Sequence, residues 1–377
     1  MIGIIVLAFV GLALLFPVVM TRLAKRKLAQ LERARAAIAR HEGRLAEEER
    51  AGNTITPAEH GLLLGSELVV EGEPGPEELA ALRAAESGDW RPAAAYLAGG
   101  ANADARVRRM RPLSQLAAED DTWLRAWREE RPEDPTAALL HADALVLLAW
   151  NIRTGSAARQ VSAEQFAGFH RVLREAEEAS AEAAALAPDD PNPWATQLSI
   201  AMGLGWDHDR FGALWSEIVK RDPYHWAAHN RALQYWCAKW RGSHELMHGF
   251  IDEAVAAAPA GSLLAPMRLE AYYEQFARDD EKRTAWQRPE VGAALDAALA
   301  DLAAADPGHH RILYARGWLA FALTRAGRAT EAMEQYRALG RFIPQPWAAW
   351  YDDPRQHFVD TRIDAVKAST KAAGASA

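Results

Sequence analysis

The sequence predicts an all-α protein: an N-terminal transmembrane helix, a stalk helix, and then an α-solenoid of antiparallel helix pairs. Three observations predict it. From about residue 77 to 360, Ala-rich helical runs follow one another with short Pro or Gly breaks, and β-branched runs of period two are nearly absent. The breaks recur: Pro188, Pro223, Pro259, Pro307 and Pro344 each close a helical run, at intervals of 35, 36, 48 and 37 residues. The chain also opens on an uncharged stretch, Ile2 to Met20.

Those 19 residues, at 1.5 Å per residue, make a helix of about 28 Å, close to the hydrocarbon thickness of a bilayer. Neither a basic n-region nor a small-x-small cleavage site accompanies them, so a retained anchor over 1–20 is expected rather than a cleaved signal. Between Arg22 and Arg44 there are eight Lys/Arg against two acids, Glu32 and Glu42. Basic residues stay on the cytoplasmic side, which predicts a single pass with the N-terminus outside and the C-terminal domain cytoplasmic. The lone Cys237 fits a reducing compartment and excludes an intrachain disulfide. Residues 21–50 have strong helix composition and form a basic juxtamembrane stalk, with Leu31, Ile38 and Leu45 seven apart. Residues 51–76 hold Gly52, Pro57, Gly61, Gly65, Gly72, Pro74 and Gly75 and are expected to be a linker. The repeat domain is then 77–365, with an insertion near 156–165, and 366–377 is expected to be a disordered tail.

The repeat can be tested position by position. Counting back from Pro344 over 34 residues, Leu319, Ala320, Gly327, Ala332 and Tyr336 fall where helix pairs need a large apolar residue, small contacts, a turn glycine and an aromatic filler. Arg316, Leu323 and Leu339 depart from that pattern. The segment resembles a tetratricopeptide repeat (TPR), and Gly88-Asp89-Trp90 resembles the inter-helix turn of a first unit. Trp240, Gly242, Ser243, Met247 and Phe250 are similar to a pattern in an uncharacterised bacterial TPR-like domain family that has no assigned activity. The resemblance implies a fold and a protein-binding role. The asparagine with which such repeats clamp a C-terminal carboxylate would fall at Phe321 and Trp236, so that binding mode is not expected.

The net charge of −8 argues against a phosphate-neutralising nucleic-acid binder. Without the basic segment 22–44 the rest carries 35 Lys/Arg against 49 Asp/Glu, an acidic surface that favours a basic protein or peptide partner. Neither a GxxxxGK[ST] loop nor GxGxxG after a strand occurs, and no cofactor is expected. Fourteen tryptophans have two readings. They fill gaps between helices, or they line an aromatic groove, for which Trp226, Trp236, Trp240 and Trp318 are the candidates.

One motif points to catalysis. His244-Glu245-Leu246-Met247-His248 matches HExxH, in which two histidines on one helix face share a zinc and the glutamate takes a proton from the metal-bound water. Glu270 or Glu274 would be the third ligand, and His225 and His229 lie nearby in sequence. Against this, Ser243 reads as an N-cap, which puts His244 and Glu245 in the first turn. Gly242 also lies 17 residues before Pro259, as Gly327 lies 17 before Pro344, so the repeat alone accounts for the segment. An axial offset of about 8 Å separates His229 from His248 across such a hairpin. The expected function is therefore a scaffold without catalysis, with a membrane-tethered zinc metallopeptidase (His244, His248, Glu270, base Glu245) as the alternative.

Overall fold

The computed structural model describes residues 56–70, 74–153, 162–278 and 283–375. The expected anchor (1–20), the stalk (21–50) and most of the insertion near 156–165 lie outside the described residues. The chain divides into two units, Met1–Leu68 and Val69–Ala377. In the first, the described residues form two 3-10 turns, Pro57–His60 and Gly65–Glu67, within the expected linker.

The second unit is built from sixteen α-helices among the described residues. They are α1 (Pro76–Glu86), α2 (Arg91–Ala98), α3 (Ala103–Glu119), α4 (Thr122–Glu130), α5 (Pro135–Arg153), α6 (Ala163–Leu186), α7 (Asn192–Leu204) and α8 (His208–Arg221). There follow α9 (Trp226–Trp236), α10 (His244–Ala257), α11 (Met267–Arg278), α12 (Pro289–Ala304), α13 (Ile312–Ala326), α14 (Ala329–Leu339), α15 (Trp347–Trp350) and α16 (Pro354–Ala375). From α5 to α8 and again from α9 to α14 each helix packs on its successor, α8 meets α9 through the stacked rings of Phe211 and Tyr235, and α7 also packs on α9, as α11 does on α13.

The helix ends sit where local chemistry puts them. Ser162, Asp207 and Ser243 each accept the backbone N–H three residues on, and Ser162 completes a capping box with Gln165. Such caps contribute about 1 kcal/mol each. Pro188, Pro223 and Pro259 each stand two residues beyond a helix end, where the missing N–H costs nothing. Pro344 differs: Gly340 (φ 58°) ends α14, and the two-residue strand β2 (Phe342–Ile343) comes before the proline. β2 pairs in parallel with β1 (Val69–Val70).

Several contacts join groups 33 residues apart. His208 meets the Arg241 carbonyl, Arg221 donates to the Pro188 carbonyl, Tyr224 donates to the Ala257 carbonyl, and His225 meets Asn192. Ala320, Ala332 and Tyr336 are buried where α13 packs on α14, and Gly327 (φ 81°) makes the turn between them.

One expectation needs correction. Residues 366–375 are helical rather than a disordered tail, because α16 carries an apolar stripe of Phe358, Ala365 and Val366 into the core. The apolar helix α5 matches a membrane span in length and hydropathy. Its buried residues Ala138, Leu140, Ala144 and Val146 instead join the two core clusters.

Glycine marks one close approach. A Cβ on Gly317 would lie 2.0 Å from the Gln345 carbonyl oxygen, whereas one on Gly292, within α12, would meet nothing. Gly317→Ala is therefore expected to lower the unfolding free energy by about 1–3 kcal/mol. Gly292→Ala is expected to raise it by about 0.5–1 kcal/mol. Urea titration of both variants checks the contrast, and equal effects would contradict this packing.

Candidate functional site

The HELMH segment begins α10 as its cap dictates: Ser243 accepts from Leu246, and His244 and Glu245 fill the first turn. Met247 is buried, Glu245 is exposed, and His248 Nε2 lies 2.9 Å from Gln275 Oε1 on α11. The His248 ring also packs on Tyr272, and burial pushes its pKa down.

Glu270 does not join these histidines. Five residues separate it from Gln275, a rotation of about 140° around the helix, so its carboxylate faces α9 and α13 instead. There it accepts from Asn230 Nδ2 (2.9 Å), Gln234 Nε2 (3.1 Å) and the Tyr314 hydroxyl (2.5 Å). Glu274 is paired with Lys239. His225 and His229 are committed elsewhere: His225 to Asn192, and His229 to the His225 carbonyl and the Trp215 ring. The Cys237 thiol donates to the Leu233 carbonyl and touches the Met247 sulfur. Among the described residues, no three His, Cys, Asp or Glu side chains are grouped to hold a metal.

Glu270 is a buried carboxyl whose pKa is pushed up. Burial raises its pKa to about 7, against the hydrogen bond from Tyr314, and the neighbouring charge of Glu274 adds to the rise. Three uncharged donors solvate it, so it has no cation directly on its oxygens. The same burial drives the Tyr314 hydroxyl well above the ordinary phenol value.

The tryptophan candidates divide. Trp318 is fully buried and Trp226 nearly so, with its indole N–H on the Leu263 carbonyl and the Arg311 guanidinium 4.0 Å above its ring. Both are core residues, not groove residues, because neighbouring helices cover their faces. Trp236 is half-buried among Phe211, Tyr235 and His208. Trp240 is half-buried as well, edge-on to Trp150 at 5.4 Å, with Arg153 5.3 Å from one ring and 5.4 Å from the other. One residue earlier, Lys239 lies 5.1 Å from the Trp350 ring, which also packs on Tyr273. The segment between α9 and α10 thus carries two aromatic–cation contacts, one to the end of α5 and one to α15.

Sequence reasoning did not pair Trp150 with Trp240 or Lys239 with Trp350, which lie 90 and 111 positions apart. It also did not identify the Glu270 cluster or the role of Asp104. Asp104 accepts the Ala227 N–H (3.0 Å) and a two-point contact from Arg311 (2.9 and 2.8 Å), and it is paired with His310. No local signal marks such partners.

No family model, curated protein or solved structure matches the chain.

Burial also lowers the pKa of His141, His225, His229, His248 and His309. The unfolded chain takes up protons that these folded imidazoles refuse. Their stabilising contribution is complete above about pH 6.5 and is lost as the pH falls. Glu270 has the opposite sign, since its folded pKa lies above the unfolded value. What it contributes is present below about pH 4.3 and is lost as the pH rises through about 7. Glu270→Gln removes that opposing contribution. Between about pH 5 and 7 the variant's unfolding free energy should rise with pH more steeply than the wild type's. Urea titrations at several pH values test this, and parallel profiles would refute it.

Proposed function

We propose that this chain is a membrane-anchored, TPR-like α-solenoid scaffold that binds a protein or peptide partner on the cytoplasmic side and carries out no catalysis of its own. The observation that supports it best is the run of half-buried aromatics at the ends of packed helices: Trp150, Trp240 and Trp350, with Arg153 and Lys239 against them. Large, rigid rings that are half desolvated and held in fixed orientations cost little entropy to bury further, which is why such residues dominate interfaces. A stack of helix pairs suits this role because it offers a long surface on which successive helices each contribute one or two contacts.

The acidic balance of the chain favours a basic partner, whose capture should weaken as salt rises. In this reading the stretch 2–20 anchors the chain, and the basic residues after it favour a cytoplasmic partner.

The full chain, solubilised in mild detergent, serves as bait for the test. Trp240→Ala and Trp350→Ala are each expected to weaken capture of a specific partner by about ten-fold or more. Glu245→Gln, at an exposed position in the first turn of α10, should leave capture unchanged. Wild-type capture by both Trp variants, with helicity intact, would remove this surface from the reading.

A further inference from the structure

At the start of α9, His225 is a helix cap made from an imidazole. Its ring Nδ1 accepts the Ala228 N–H at 3.1 Å, and its Nε2 lies 2.9 Å from the side-chain oxygen of Asn192, the first residue of α7. The orientation of Asn192 is set independently, because its amide nitrogen donates to the Ala103 carbonyl at the start of α3 (3.1 Å). Its oxygen must then face His225, so Nε2 carries the proton and Nδ1 carries the lone pair. Only the neutral ring satisfies both contacts.

The groups around this ring come from every neighbouring element. Asp104 of α3 accepts from Ala227, one residue before the capped amide, and is held by Arg311 and His310 at the start of α13. Asp222 lies in the turn before α9, and Arg231 lies on α9 itself, paired with Asp143 of α5 at 3.6 Å. His229, one turn along α9, binds the His225 carbonyl through Nδ1. The helix starts of α3, α7, α9 and α13 therefore meet in one polar knot, and two of its rings use a lone pair on a titratable nitrogen: His225 Nδ1 on the Ala228 N–H of α9, and His309 Nδ1 on the Arg311 N–H before α13.

We propose that His225 is an acid-sensitive latch. When the ring takes a second proton, Nδ1 turns an N–H toward the Ala228 N–H, the cap on α9 is lost, and the first turn of α9 frays, while Nε2–H stays on Asn192. Arg311 and His310 do not open the knot on acidification, and loss of the His309 contact to the Arg311 N–H would act on α13 and not on the α9 cap. Arg311 keeps two contacts on Asp104 throughout, and a protonated His310 binds that carboxylate more strongly. Burial, helped by Arg231 and Arg311 and opposed by Asp104 and Asp222, holds His225 neutral at ordinary pH. The latch is therefore closed until the medium is distinctly acidic. This goes beyond the scaffold reading and does not depend on any partner.

The test is hydrogen exchange on the full chain in detergent micelles, corrected for intrinsic rates, at about pH 7.5 and about pH 5.5. Protection at Ala227 and Ala228 is expected to fall about ten-fold or more at the lower pH while that of Ala176, in the core of α6, holds. His225→Asn, which caps a helix without titrating, should keep its protection at both. Unchanged wild-type protection, or an equal fall in His225→Asn, would overturn the proposal. A second measurement covers the case in which that variant does not fold. The ring proton signals of His225 in the wild type should titrate with the same midpoint as the loss of protection at Ala228, and separate midpoints would overturn the latch.

Discussion

A carboxylate buried in the first turn of α3 accepts an N–H from the first turn of α9 and both ends of a guanidinium at the start of α13. Asp104 lies 123 residues from one partner and 207 from the other. Burial alone would favour its neutral form. The hydrogen bonds from His310 and Arg311 and the charge of Arg311 outweigh that penalty and hold the carboxyl well below its usual range. A pair of this kind adds little net stability compared with apolar packing, because desolvation consumes most of the attraction. What it adds is register. An apolar contact would tolerate α13 sliding past α3 by part of a turn, and the two-point guanidinium contact from Arg311 would not.

The remainder of the second unit is arranged around that register. With the starts of α3, α7, α9 and α13 brought together, the later turns of those helices are placed as well. Arg231 comes opposite Asp143, and Asn230, Gln234 and Tyr314 come around Glu270. At the far end of α9, the segment to α10 carries Lys239 to Trp350 and Trp240 to Trp150. Gly242 allows this turn, since a Cβ there would lie 1.9 Å from the Trp236 carbonyl oxygen. Asp104, Asp143 and Glu274 are thus each paired with a named cation, while Ala, Leu and aromatic side chains provide most of the burial.

The same packing explains why HELMH does not assemble with Glu270. A zinc site of that type needs the third carboxylate to face the helix that carries the histidines. On α11 that face is occupied by Tyr272 and Gln275, and Glu270 is turned toward α9 and α13. The glutamate suggested by spacing alone proved to be a buried acid with its own donors. Its raised pKa comes from that burial.

Helix identity and helix ends were legible in the sequence because they are local. Ser162, Asp207 and Ser243 cap from within four residues, prolines follow helix ends by two, and Gly327 must take a positive φ that other residues resist. The small and aromatic positions of α13 and α14 could be assigned because two helices in a hairpin meet at fixed offsets. Which tryptophans are covered could not be read in this way. Trp318 and Trp240 both lie within Ala-rich or aromatic stretches, and only the elements that arrive from elsewhere bury the first and leave the second half open. The α16 segment shows the same limit, since its sparse apolar stripe becomes structural only against the core it meets. Local backbone chemistry determined the elements of this protein. The tertiary structure decided the partners of Asp104, Glu270 and His225, because a buried charge or lone pair is satisfied by whatever folding brings within 3 Å, at any distance along the chain.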